Sequence, residues 1–431
     1  MHHVKAAAPR QLPTTGAFVM LAVATVTTMA AASAPSPIYP LYRERWHFSV
    51  TLLTVVFTVY VVGLLAALLT VGSLSDHIGR RPVLVVAFLM AATSTAIFWA
   101  ANGPAMLILA RLVQGVASGI AMSGLAAGLL DFAPKGRPHL GATLTTVGTS
   151  IGMAGGAAVV GLLTAATSRP DGIVFPVLTL MFLALALNSL ALPETVAPRS
   201  VTLLILRPTI RVDSRARSEF WATMPSTIAG WAATGLFLAL IPSLVRDVLR
   251  LQFAAAGGLA IAVLYIAVTI GGIWSLRHRT RTVTILGTAL MTTGAAILAL
   301  GLATGSLIEF AAATLAIGLG VGLTFNGNLR AMSAVTSAKT RSQTFAATYV
   351  VSYASLSVPT LAAGLLAPLS GLEATGCALI AFVALLSAGA MTHALLRPSP
   401  LRVLPTAARP CRVDSQPPGQ TKSEFHSKPS M

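Results

Sequence analysis

Long apolar runs separated by short polar turns dominate this chain. A helix needs about 20 apolar residues to cross the hydrocarbon of a bilayer. Twelve stretches meet that pattern: 16–35, 50–73, 82–101, 104–130, 140–166, 172–192, 220–244, 252–275, 282–303, 307–328, 343–367 and 372–396. Gly and Pro inside them are compatible with helices, because neighbouring helices re-satisfy freed backbone groups in a membrane bundle. The pattern predicts an all-α polytopic membrane protein, six helices plus six. An N-terminal segment, 1–15, precedes the first half at 16–192. A polar, arginine-rich linker at 193–219 leads to the second half at 220–396. The Pro- and Ser-rich tail at 397–431 is expected to be disordered.

Composition agrees. Hydrophobic residues make up 55% of the 431 and charged residues 10%, against about 25% charged in a soluble domain. The mean hydropathy is +0.80. A net charge of +17 would point to a nucleic-acid partner in a soluble protein. Its distribution gives another reading. With the N-terminus in the cytoplasm, 23 of the 29 Lys and Arg fall on the cytoplasmic side and five on the other, with Arg111 inside a span. That asymmetry supports a cell-membrane protein with both termini cytoplasmic, in contact with anionic lipid and not with nucleic acid. The Ala31-Ala32-Ser33-Ala34 stretch also resembles a signal-peptide cleavage site. Removing the first helix would spoil both the even count and the charge split. Cys377 lies in an apolar run and Cys411 in the tail, no His/Cys cluster has metal-ligand spacing, and no cofactor is expected.

Three sequence patterns carry chemistry. The turn between spans two and three reads Gly72-Ser73-Leu74-Ser75-Asp76-His77-Ile78-Gly79-Arg80-Arg81-Pro82. It serves at least as a tight turn whose arginines fix orientation. Gly72 would let another helix approach, and Gly79 permits a turn that other residues resist. Span four contains Arg111-Leu112-Val113-Gln114-Gly115-Val116-Ala117-Ser118-Gly119. An arginine at that depth costs several kcal/mol unless it finds partners or a cavity. It is either a bundle-stabilising contact to carbonyls or a site for substrate or coupling. Span five holds Gly148, Gly152, Gly155 and Gly156, suited to close helix packing or bending. Gly148-Thr149-Ser150-Ile151-Gly152 matches the G-x-S-x-G hydrolase pattern, but that motif needs a strand-to-helix elbow.

The turn resembles the signature loop of the major facilitator superfamily, G-x-L-x-D-x-x-G-R-R/K, matched by Gly72, Leu74, Asp76, Gly79, Arg80 and Arg81. The resemblance implies the fold of that superfamily, two pseudo-symmetric six-helix halves. It also implies that the turn latches the halves, with Asp76 facing a helix N-terminus of the other half and the arginine pairing with Asp131. Span four resembles the family's R-x-x-Q-G-x-x-x-G motif, associated with proton coupling. Span five partly resembles the antiporter motif, with Met153 where proline is expected and Ala157 where the last glycine is expected. The second half carries weak echoes. Gly271-Gly272-Ile273-Trp274 leads into Arg277-His278-Arg279 without an acid. Gly318 and Gly322 repeat the spacing of Gly115 and Gly119, with Thr314 in place of the arginine.

None of the twelve acids falls near the middle of a span, and Glu309, at the outer end of span ten, is the candidate for a partly buried proton site. The lack of a mid-membrane carboxylate favours neutral, amphipathic or anionic solutes over organic cations. Tyr60, Gln114, Asn188, Trp231, Tyr265, Asn326, Tyr349 and Tyr353 are candidates to line the pocket, and Pro359 to bend span eleven. The expected function is secondary active export of a small organic compound by proton-coupled antiport, as a monomer. Uptake by symport is the alternative, and a non-transporting membrane sensor a further one. No P-loop is present, and an intramembrane enzyme would need ligands or bases at depth that are missing.

Overall fold

The computed structural model describes residues 11–72, 74–137, 139–196, 211–249, 253–337 and 340–396, with the backbone alone at 341–342. The tail expected to be disordered lies outside them, as does most of the linker. Among the described residues eleven helices are long and apolar enough to cross a membrane, and a bent pair, counted as one span, makes a twelfth. We label them α1 Thr14–Trp46, α2 Val50–Val71, α3 Arg80–Trp99, α4 Pro104–Asp131, α5 His139–Ala166, α6 Asp171–Ser189, α7 Arg217–Ala239 with Ile241–Asp247, α8 Ala256–Ser275, α9 Thr280–Thr304, α10 Leu307–Val335, α11 Arg341–Ser370 and α12 Leu372–Leu396.

Several helices outrun their apolar stretches. α10 continues to Val335 and α11 to Ser370, since a helix goes on satisfying its backbone beyond the apolar run. The largest difference is α1. Its regular part ends at Ser33, a 3-10 turn follows at Ser36–Ile38, and helix resumes over Tyr39–Trp46. Pro35, Pro37 and Pro40 explain the break, because proline supplies no backbone N–H. Arg43, Glu44 and Arg45 therefore stand on a helical extension and not in a loop. α7 repeats the device: it bends by 53° at Leu240, just before Pro242.

Glycines set the tight helix pairs. A Cβ at Gly115 or Gly119 of α4 would overlap the backbone of Tyr60 or Leu64 on α2. In the second half, Gly318 and Gly322 of α10 meet Leu264 and Val268 of α8 in the same way, so the echo in spacing is an echo in packing. Gly152 and Gly156 of α5 lie against Val26 and Ala30 of α1. Gly148 makes ordinary contacts only.

One apolar core fills the first half around Leu21, Leu53, Phe88 and Phe175. A second is shared by both halves, joining Phe57, Tyr60 and Leu64 to Leu236, Phe237, Leu264 and Tyr353. Large apolar side chains such as Leu180, Leu187 and Leu369 stand exposed on the outside, as lipid contact requires.

The two ends of the bundle differ. One, the basic face, carries the turns with Arg80 and Arg81. At the opposite face the halves are tied together. Arg43 pairs with Asp247 at 3.1 Å and Arg246 with Glu44 at 2.5 Å, two reciprocal bridges between the extensions of α1 and α7. The Thr51 hydroxyl donates to the Gly364 carbonyl at 2.7 Å, and Thr164 to Ala254 at 3.1 Å. Gly161 and Gly258 bring α5 and α8 into backbone contact.

Candidate functional site: a buried arginine and a basic turn

Arg111 is 1% exposed, in the interior of the first half. Its Nε donates to the Tyr39 hydroxyl at 2.6 Å, and its Nη1 to the Ala32 carbonyl at 3.1 Å and to Gln114 Oε1 at 2.7 Å. The guanidinium carbon lies 5.4, 5.2 and 5.8 Å from the ring centres of Tyr39, Tyr60 and Phe98. Neutral acceptors and three π faces thus hold the charge, in place of a carboxylate. Nη2 is buried without a partner. The break in α1 makes this arrangement possible. Pro35 cannot return an N–H to the Ala31 carbonyl, and Gln114 Nε2 donates to that oxygen instead, at 2.9 Å. Arg-x-x-Gln on α4 therefore docks on the broken turn of α1. The sequence reading missed Tyr39 and the two carbonyls, although the Pro-x-Pro spacing beside the first span was the available signal.

Aromatic side chains gather in the shared core. Trp231 of α7 packs edge-on against Tyr353 of α11 at 4.9 Å and Phe325 of α10 at 5.7 Å, with Tyr349 at 6.5 Å from Tyr353. Tyr265 packs against the same core, which includes Tyr60. The Tyr353 hydroxyl reaches Met122 Sδ across the halves at 3.7 Å. So Tyr60, Trp231, Tyr265, Tyr349 and Tyr353 come together, in a region with no described carboxylate.

Other candidates are placed elsewhere. Asn188 is exposed, and its amide donates to Ala184 of its own helix at 2.8 Å, which removes it from a central pocket. Asn326 lies against Gly272, between α10 and α8, and acts as packing. Glu309 sits in the first turn of α10. Its backbone N–H donates to Ser306 and its carboxylate accepts from the Thr304 hydroxyl at 2.8 Å, so this half-buried acid takes part in the cap of α10. Pro359 lies inside α11, as does Pro368. The reading overlooked Asn328, buried on α10, whose amide donates to Ser226 and Thr227 of α7, each at 2.9 Å.

At the basic face, Arg80 is nearly buried between two acids. Its Nε donates to Asp131 Oδ2 at 3.1 Å, and its Nη1 bonds Asp76 and the Ser75 hydroxyl. Gly79, at φ +101°, turns the chain into α3. Glu194, from the start of the linker, accepts the first backbone N–H groups of α3: Arg80 N at 2.8 Å and Arg81 N at 3.1 Å. A carboxylate there neutralises the helix end. A Cβ at Gly79 would collide with it. Thr195 donates to Asp131 at 2.8 Å, so the first linker residues belong to this cluster.

The sequence from 21 to 358 matches the model of the Major Facilitator Superfamily. The chain belongs to this superfamily. The family is one of membrane transport proteins and not of enzymes, and this chain has the many apolar helices of a multi-pass membrane protein. Among curated proteins it resembles the ectoine/proline transporter ProP of Corynebacterium glutamicum, 32% identical over 112 residues. That alignment covers 23% of this chain and only 22% of the relative. Among solved structures, a bacterial homologue of the human lysosomal transporter Spinster, inward-facing and unoccupied, aligns with a TM-score of 0.73 at 13% identity, over 90% of this chain and 99% of that one. The same protein in its occupied form gives 0.67 at 12% identity, over 89% and 98%. A point mutant of the nucleoside transporter NupG gives 0.68 at 11% identity, over 88% and 99%. These likenesses establish the fold.

In this superfamily member the cross-half contact expected of Asp76 is not made. Asp76 is 62% exposed, and among the described residues its bond is to Arg80 of its own half. A Cβ at Gly72 would first strike the Leu68 backbone of its own helix. The ion pairs between the halves lie instead at the opposite face.

Proposed function

We propose that the protein is a secondary transporter that exports a small neutral, amphipathic or anionic organic compound by alternating access, in exchange for protons. The conformation described here is then the one open to the cytoplasm, which the basic face meets. The observation that carries this reading is the asymmetry between the faces. Reciprocal ion pairs close one end, while Asp76 at the other is exposed and has its bond within its own half. A latch residue of that kind is expected to engage its partner half only when the cytoplasmic end closes. Arg111 and Gln114 are the proposed coupling or substrate-linked pair, and Trp231, Tyr349 and Tyr353 the proposed pocket wall. The lack of a carboxylate among these groups supports solutes without a permanent positive charge.

A second reading, uptake by symport, draws support from the partial likeness to an ectoine/proline transporter. Inverted membrane vesicles with an imposed proton gradient separate the two. Accumulation of a labelled solute inside them supports export. Gradient-driven loss of preloaded proline or ectoine supports uptake, and no response to the gradient overturns coupling to protons.

A further inference from the structure

A groove of about 360 Å³ lies between α7 and α12 on the lipid-facing surface, lined by Trp221, Ala222, Pro225, Leu385, Leu386, Gly389 and His393. The two helices run antiparallel, so their lining residues pair by depth. Trp221 and His393 stand nearest the basic face, and Pro225 and Leu385 lie deeper. Gly389 leaves the groove open on α12: a Cβ there would meet nothing within 4 Å. Pro225 thins the α7 wall and returns no N–H to the Trp221 carbonyl, which keeps a lone pair without its helical donor. Trp221 is 71% exposed and Leu385 74%, so the apolar wall faces outward, not into the bundle.

Charge marks the shallow end. Arg217 is exposed one helical turn before Trp221, on the same stripe of α7. Exposed His393 closes the α12 side. Arg281 crosses from α9 to bond the Ala394 and Leu395 carbonyls at 3.3 and 3.0 Å, which adds a cation at the end of α12. An apolar trough ending in cations and a tryptophan, at the level where a helix bundle leaves the hydrocarbon, complements one molecular shape. It needs an acyl chain below and an anionic head above.

We propose that this groove binds an anionic phospholipid. Arg217 and His393 hold the phosphodiester, and one acyl chain lies along Pro225, Leu385, Leu386 and Gly389. The test uses the purified full-length protein and two lipids with the same acyl chains, phosphatidylglycerol and phosphatidylcholine, and counts retained lipid by native mass spectrometry. The wild type retains phosphatidylglycerol at several-fold lower lipid concentration than phosphatidylcholine. Arg217→Gln removes that preference. Gly389→Leu fills the trough and lowers retention of both lipids, with an unchanged melting temperature because the new side chain enters open space. A photoreactive phosphatidylglycerol cross-links to the segments 217–225 and 385–393. Equal retention of the two lipids by the wild type overturns the proposal. So does an unaltered preference in Arg217→Gln, unchanged retention in Gly389→Leu, or cross-linking confined to other helices. None of these readouts depends on transport, so failure here leaves the transport reading standing, and the reverse holds too.

Discussion

Gln114 Nε2 stands 2.9 Å from the carbonyl oxygen of Ala31, the group that Pro35 leaves without a helical donor. A side chain on α4 thus completes the backbone of α1 at its break. Replacing Gln114 with Leu orphans that buried oxygen and also removes one acceptor of Arg111 Nη1, and loss of about 1–3 kcal/mol of stability is expected. Pro35→Ala offers Ala31 an N–H again. The double variant should therefore lose less than the sum of the singles, which a double-mutant cycle of unfolding free energies in detergent measures. Strict additivity would show that the two groups do not share this bond.

The surroundings of Arg111 give a prediction about side-chain shape. Its fork reaches a phenol, a carbonyl and an amide oxygen in different directions while three rings cover it. Lysine keeps the charge but concentrates its donors at one point. Arg111→Lys and Arg111→Gln are both expected to cut transport at least tenfold, and Tyr39→Phe to cost about 1–3 kcal/mol by unpairing Nε. Wild-type transport by the lysine variant would reduce Arg111 to a mere point charge.

Much of this was legible in the chain and some was not, for identifiable reasons. Twelve apolar runs announce twelve helices because the bilayer fixes their length. The pairing of an arginine of the turn with Asp131 was readable only through the resemblance to the signature loop, which implies an acid at the end of the fourth helix, and Arg80 makes that bridge. Glu194 is a lone acid in a polar segment, and no periodicity shows that it folds back onto the start of α3. Tyr39 was hidden for another reason: the first apolar run ends at 35, and the helix that resumes at Tyr39 lies beyond it. Asp76 illustrates a limit of a different kind, since the resemblance implies a partner in the other half and in this structure it bonds Arg80 of its own half. Asn188 looked like a pocket residue by polarity alone, yet its bond to Ala184 turns it to the outside.

Gly79 and Glu194 form one structural unit. At φ +101° any side chain is strained, and a Cβ would also strike the Glu194 carboxylate. Gly79→Ala should therefore displace Glu194 from the two N–H groups of α3 and lower the melting temperature clearly. Gly148→Ala, where a Cβ makes ordinary contacts, should leave it unchanged. Glu194→Gln keeps the shape and loses the charge at the helix end, and about 0.3–1 kcal/mol is expected. Thermal unfolding of the three variants side by side checks the order.

Asp213 supplies a pH test. The Thr340 hydroxyl, at 2.5 Å, and the Arg215 N–H hold its carboxyl below the usual carboxylate pKa. A folded-state value below the unfolded one means stability that is present above the ordinary carboxylate pKa of about 3.9 and lost as pH falls through it toward the folded value. The melting-temperature gap between wild type and Asp213→Asn should therefore be open at neutral pH and close on acidification. A gap that widens in acid would contradict the sign.

The reciprocal bridges Arg43–Asp247 and Arg246–Glu44 join the extensions beyond the two broken helices, so they must part before that face opens. Both are partly exposed, at 23% and 42% for the first pair and 40% and 63% for the second. Each is therefore worth about 0.2–1 kcal/mol and is weakened by salt. Glu44→Gln with Asp247→Asn should shift the population toward the state open at that face by a few-fold, and high salt should act in the same direction on the wild type. A cysteine at Thr54, which is buried in the closed state, reports the change when the native cysteines are replaced by serine. Its labelling from the non-basic side should speed up in the double variant. Glu44→Arg combined with Arg246→Glu restores one bridge with reversed polarity and should return labelling toward the wild-type rate. Labelling that ignores salt, the neutralised pair and the swap alike would mean that the glycine contact of α5 with α8 and the Thr51–Gly364 bond hold this face shut without help from the charges.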